Sequence, residues 1–216
     1  MQRLIEKTGH EKTMRSLRFL LIRLKSRPET VGLCDEIEQT RRILQKKYEE
    51  WMQVEDERIS ATAEIEYRDA IVDSDVADIA RQILLEVRGN RRNHRYLKLF
   101  PQSPSKLMRS IAGPEQTKFV LSLIDTLNTD PNYAGLKEHA RLLAEHQKDL
   151  EVVIQKRTDW QVREIQLQSE WRMFYLQAQE LYNSMYPRLL LLFPNNKNLV
   201  ESCFIKQSRT TPKKET

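Results

Sequence analysis

Apolar residues return every three to four positions through most of this chain, and two of the cleanest stretches resemble each other. Leu17, Leu20, Leu21 and Leu24 form an i, i+3, i+4, i+7 face, the stripe that one side of an α-helix presents. Val120, Leu123, Ile124 and Leu127 form a second such face. The same punctuation follows each: LKSRPETVGL at 24–33 and LNTDPNYAGL at 127–136 hold Leu, Pro, Gly and Leu at one spacing. Pro28 and Pro131 cannot continue a helix interior, because the ring removes an N–H and clashes with the preceding turn. Gly32 and Gly135 let the backbone redirect, and Thr13 is placed to cap the first short helix.

Behind each turn lies a long helical region. From Leu33 to Arg88 there is no Gly or Pro, and a single helix there would be about 84 Å long at ~1.5 Å per residue. Its stripe runs through Leu33, Ile37, Leu44, Tyr48, Trp51 and Val54, thins over 55–66, and returns at Ala70, Val76, Ile79, Ala80, Ile83, Leu84 and Val87. Asp73, Ser74 and Asp75 can each cap a following helix, so a break is possible there. The second region behaves alike. Leu136, Ala140, Leu143, Leu150 and Ile154 make one stripe, 155–170 is thin, and Trp171, Phe174, Tyr175, Ala178, Leu181 and Tyr182 restore it.

Each region ends in Leu-Phe-Pro, at Leu99-Phe100-Pro101 and Leu192-Phe193-Pro194. Near these ends the helix is expected to be disturbed, at Gly89 and at Pro187. Phe100 and Phe193 are expected to plug the ends of the bundle, with Pro101 and Pro194 starting the next element. A short apolar pair and a serine come after each: Leu107, Met108 and Ser110, then Leu199, Val200 and Ser202, with one residue dropped. On this register the second copy is ten residues shorter between Gly and Leu-Phe-Pro. The expected fold is therefore all-α: an internally duplicated helical bundle with two long antiparallel helical segments, coiled-coil-like, and short helices covering the ends. Residues 1–12 form an extension ordered by its neighbours. Residues 13–112 and 113–204 form two repeats sharing one bundle, and 205–216 is a basic disordered tail. An elongated dumbbell is favoured over a compact bundle with both long helices broken.

Composition supports this picture. Five Gly, eight Pro, 31% charged and 7% aromatic residues suit helices, and the 39% hydrophobic fraction suits a thin core or a surface completed by a partner. Net charge is +5 but segregated: +6 over 1–28, −9 over 29–87, +7 over 88–118, −2 over 119–204 and +3 over the tail. Such alternation means internal pairing or a partner surface. Two distant cysteines without CxxC spacing point to a reducing cytoplasm. Apolar runs fall far short of the ~18 residues a membrane span needs.

Chemical motifs are sparse. His139 and His146 share a helix face, but the residues three before them are Leu136 and Leu143 rather than Glu, so the carboxylate-bundle metal pattern fails. Zincin, nucleophile-elbow and phosphate-loop patterns are absent, and no cofactor is implied. Cys34 precedes Asp35 and Glu36, which disfavours a thiolate. Both it and Cys203 read as core residues. The carboxylates Glu49, Glu50, Glu55, Asp56 and Glu57 spread around a helix as a solvated face. The aromatics Tyr48, Trp51, Trp171, Phe174, Tyr175, Tyr182 and Tyr186 read as stripe residues.

The candidate working surface is RGNRRNHRYLK: Arg88, Arg91, Arg92, Arg95 and Lys98, with His94 and Tyr96 interleaved. Its counterparts before the second Leu-Phe-Pro are Leu181, Ser184, Met185, Arg188 and Leu191, so the shared scaffold does not demand the cluster. Arg15, Arg18, Arg23, Lys25 and Arg27 likewise lack basic counterparts, Lys118 excepted. These observations point to a non-enzymatic structural or protein-interaction module, binding a protein partner or itself, with no membrane partner. The alternative is a nucleic-acid-binding protein using 88–98, 13–27 and the tail.

Overall fold

A computed structural model describes residues 3–108 and 113–205. Among them there are helices and no strand, and no helix is long and apolar enough to cross a membrane. Ser110 and the tail 206–216 lie outside the described residues. In order, α1 (His10–Lys25) leads into a 3-10 helix at Pro28–Leu33, and α2 (Cys34–Glu86) follows. Next come α3 (His94–Leu99), α4 (Pro104–Leu107) and α5 (Pro114–Thr129). A second 3-10 helix at Pro131–Leu136 precedes α6 (Lys137–Leu192), and α7 (Lys197–Ser202) ends the order.

The long helices α2 and α6 are continuous over 53 and 56 residues. Neither 73–75 nor Pro187 interrupts its helix, whereas α2 does end ahead of Gly89. At 73–75 the acidic side chains find partners off their own helix: Gln116 Nε2 lies 3.5 Å from Asp73 Oδ1, and His146 Nδ1 lies 2.6 Å from Asp75 Oδ2. They have no need to turn back and cap. Pro187 sits inside α6 with its ring exposed; it forfeits one backbone bond, and the helix runs on to Leu192. Charge pairs one turn apart along α2, such as Arg42–Glu38 (2.6 Å) and Arg68–Glu64 (3.3 Å), each add a few tenths of a kcal/mol to the helix.

Two compact units result: Met1–Val54 with Arg163–Thr216, and Glu55–Val162. They cut across the segments 13–112 and 113–204. In the first unit, α1, the start of α2, the end of α6 and α7 enclose Leu17, Leu20, Leu24, Ile37, Leu44, Tyr182, Met185 and Phe204. There α2 and α6 run antiparallel, as Arg188–Glu36 (2.6 Å) and Lys47–Glu170 (2.9 Å) require. The N-terminal strap is pinned to α6: Leu4 N–H donates to Asn183 Oδ1 (2.9 Å), and Gln179 Nε2 donates to Ile5 O (2.9 Å).

The second unit is assembled the same way from the other halves. The end of α2, α3, α5 and the start of α6 enclose Val72, Val76, Ile79, Ile83, Phe100, Val120, Leu123, Leu127, Tyr133 and Leu143. Here too α2 and α6 are antiparallel, tied by Arg68–Asp149 (2.6 Å) and by Arg157 Nε donating to Thr62 Oγ1 (3.3 Å).

Elements recur at a constant shift of 103 positions. Pro28–Leu33 maps onto Pro131–Leu136 and His94–Leu99 onto Lys197–Ser202, each without a gap. Asn93 and Asn196, at that same shift, both accept a backbone N–H as the N-cap of a short helix. The buried pairs Thr13/Gln116, Leu17/Val120, Leu20/Leu123, Leu24/Leu127, Ile37/Ala140, Val72/Tyr175, Val76/Gln179 and Ile79/Tyr182 follow it. The Leu-Phe-Pro register, with its ten-residue deletion, does not. Phe100 is 1% exposed, whereas Phe193 is only half-buried beside the first unit's core, where Phe204 is the enclosed phenylalanine. Pro101 lies in a bend before α4, and Pro194 follows Phe193 outside any helix.

Three smaller expectations are also corrected. Gly9, not Thr13, stands at the N-cap of α1, and Thr13 is buried against the Tyr175 hydroxyl (3.5 Å). Gly32 and Gly135 keep ordinary negative φ inside their 3-10 helices, so the turns do not draw on glycine's freedom. Left-handed backbone occurs instead at the end of α2, at Arg88 (φ 54°) and Gly89 (φ 78°).

Candidate functional site

The basic stretch at 88–98 separates into two sets. α2 closes with Gly89 N–H on Leu84 O (2.7 Å) and Arg88 N–H on Leu85 O (3.1 Å), the paired bonds of a Schellman cap. Arg88 thus occupies the left-handed position that glycine usually fills. Arg88, Arg91 and Arg92 are exposed and make no ion pair among the described residues. Arg95 and Lys98 on α3 face the other way. Arg95 pairs with Glu86 (2.7 Å), donates to Asn132 O, and lies 5.7 Å from the Tyr133 ring centre. Lys98 pairs with Asp130 (2.8 Å). That ammonium, with the Asn132 backbone N–H, lowers the Asp130 carboxyl to about 2. These two cations therefore fasten α3 to the Pro131 turn.

This division is measurable. Arg95→Gln is expected to lower stability by about 1 kcal/mol, because two charge-assisted bonds are lost at a half-exposed site. Arg91→Gln with Arg92→Gln should stay within about 0.5 kcal/mol per substitution, as surface changes do. Thermal melts that ranked the two variants the other way round would undo the assignment.

A second basic surface lies in the first unit, between α1 and the first turns of α2. A cleft of about 420 Å³ is lined by His10, Glu11, Met14, Arg15, Arg18, Arg41, Gln45 and Tyr48. Helical periodicity places them: Arg41, Gln45 and Tyr48 stand at i, i+4, i+7 on α2, and Met14 and Arg18 at i, i+4 on α1. Arg15, Arg18 and Arg41 make no ion pair among the described residues, and Arg41 Nε is buried without a hydrogen-bond partner. Most other arginines of the long helices are engaged, as Arg42, Arg68, Arg81, Arg141, Arg172 and Arg188 show.

Behind the cleft the rings are packed together. His10 stacks on Tyr48 (centroids 4.0 Å apart), Trp51 lies 5.0 Å from Trp171, and Trp171 stacks on Tyr175 (5.1 Å). Burial pushes the His10 imidazole down, with the Gln45 side chain and the Glu11 charge acting against it. Trp171 and Tyr175 also line a smaller cavity of about 350 Å³, beside the Arg172–Glu6 pair.

The remaining candidates have structural settings. His146 is held by Asp75, and among the described residues no three His, Cys, Asp or Glu side chains gather as a metal site would need. Cys34 and Cys203 are buried in the first unit, and burial raises both thiols. The sequence marks the basic character of α1 and gives Tyr48 as a stripe residue of α2, but does not single out Arg41. Their i, i+7 spacing was readable, but nothing local says which helix faces α1. No protein-family model, curated protein or solved structure matches the chain.

Proposed function

We propose that this chain is a non-enzymatic interaction module, a scaffold made by duplicating one helical unit, that presents the Arg88–Arg91–Arg92 turn to an acidic protein partner. Support for duplication comes from the constant 103-position register of caps, 3-10 helices and buried positions. Arg88 carries the binding reading. A non-glycine residue in left-handed backbone costs of order 1 kcal/mol, and glycine would remove that cost without losing any ion pair. Keeping arginine there, beside two further unpaired arginines, makes sense if the side chain works outside the fold. Protein is preferred to nucleic acid because Arg95 and Lys98 are tied down, leaving too short a basic track to follow a phosphate backbone.

The test uses Arg88→Gly alone and with Arg91→Gln and Arg92→Gln. The single variant is expected to melt no lower than the parent, and both to lose a protein that the parent captures from native lysate. Capture equal to the parent's would move the working surface elsewhere. Salt-sensitive gel retardation of DNA or RNA by the parent, lost in the variants, would turn the reading to nucleic acid.

A further inference from the structure

The cleft between α1 and α2 is not used by the reading above. Its charge is unusual for its place: Arg15, Arg18 and Arg41 face one carboxylate, Glu11, within about 420 Å³. Elsewhere on α2 Arg42, Arg68 and Arg81 have found carboxylates, and on α1 Arg23 is held by Ser202. Here three guanidiniums share one cleft without an ion pair among the described residues, and Arg41 Nε, like Arg68 Nε and Arg95 Nε, is buried without a partner. We propose that this cleft binds a phosphomonoester, with the phosphate among Arg15, Arg18 and Arg41 and the organic group against Tyr48 and Met14.

Charge selects the ligand class. Three arginines against Glu11 leave an excess of two positive charges. A phosphomonoester carries about −1.5 to −2 at neutral pH, which closes the balance. A carboxylate or a phosphodiester, each with one negative charge, does not. His10 adds little to the excess, because burial disfavours its charged form. Planar guanidinium forks match phosphate oxygens two at a time, and the exposed ends of Arg15 and Arg18 can close over an oxyanion that Arg41 meets from α2. The size is adequate too, since small-ligand sites span about 300–1,000 Å³. Tyr48 and Met14, both in the lining, supply apolar surface against which an aryl group can pack.

Titration calorimetry on the full chain tests this, with phenyl phosphate, benzoate, a phosphotyrosine peptide and its unphosphorylated form as probes. Phenyl phosphate should bind at least tenfold more tightly than benzoate. Arg41→Gln should weaken it at least tenfold, and so should the paired change Arg15→Gln with Arg18→Gln, whose exposed positions leave folding intact. The two peptides locate the source: a phosphopeptide tighter than phenyl phosphate assigns the site to a modified protein, and parity assigns it to a free phosphoester. No heat with any phosphate probe overturns the proposal. So does equal affinity for benzoate, or phosphate binding that survives the paired substitution. Because the site and Arg88–Arg92 belong to different compact units, loss of one binding activity leaves the other to be judged on its own.

Discussion

Phe100→Ala is expected to cost about 3–5 kcal/mol, the range for emptying a fully buried phenylalanine site. Its ring is 1% exposed, lies 5.5 Å from Tyr96 and 6.1 Å from Phe119, and joins α3 to α5 in the second unit. Phe204→Ala should fall in the same range, because Phe204 is 2% exposed against Tyr182 (5.4 Å) and Tyr186 (5.7 Å) in the first unit. Phe193→Ala should cost clearly less. Phe193 is half-buried at the end of α6 and already reaches solvent, so truncation leaves a dent rather than a cavity. Chemical denaturation of the three variants decides it. A Phe193 variant as damaged as the Phe100 variant would restore the Leu-Phe-Pro equivalence that the burial pattern argues against.

That contrast shows where the sequence was readable. The faces Leu17–Leu20–Leu24 and Val120–Leu123–Leu127 were legible because each buries a full stripe against one core. The Pro28 and Pro131 turns were legible because proline acts locally. Leu-Phe-Pro misleads, because its identical letters do not occupy like places: Phe100 is enclosed and Phe193 only half-buried. Position in the fold follows burial rather than residue type. At the 103-position shift, Ile79 meets Tyr182, Val72 meets Tyr175, and Phe100 meets Cys203. The first two pairs look unlike on paper, yet all four residues are buried.

The basic residues teach a similar lesson. RGNRRNHRYLK reads as one cluster in the chain, yet α2 ends in a Schellman cap and α3 begins five residues later. That turn sends Arg88, Arg91 and Arg92 to solvent while Arg95 and Lys98 reach Glu86 and Asp130. The pairing of Lys98 depends on Asp130 and the Pro131 turn arriving from 32 positions away, which no local pattern announces. The cleft at Arg41 is illegible in the sequence for the same reason: its two walls come from different helices, and neither wall alone is unusual.

Asp73→Asn is expected to stabilise the protein at neutral pH by roughly 1–2 kcal/mol. Asp73 is half-buried one turn from Asp69, which is itself 4% exposed, and both carboxylates approach the amide of Gln116, at 3.5 and 2.8 Å. Burial, reinforced by the Asp69 charge, pushes the Asp73 carboxyl up from 3.8 to about 6. At ~1.36 kcal/mol per pKa unit a shift of that size would be worth about 3 kcal/mol; solvent at a half-exposed site screens part of it. The sign follows from proton counts. Between pH 4 and 6 the folded chain holds a proton on Asp73 that the unfolded chain has released, so this group makes the protein less stable as pH rises through that window. Ion-paired carboxylates such as Glu38, Glu170 and Asp130, all lowered by their cationic partners, act oppositely at lower pH and contribute equally to parent and variant. The difference between the two melting curves therefore isolates Asp73. It should be near zero at pH 4, grow up to about pH 6, and remain flat above pH 7. A difference independent of pH would mean that Asn acts through packing, and a variant less stable than the parent at pH 7 would show that the Gln116 amide needs the ionised form.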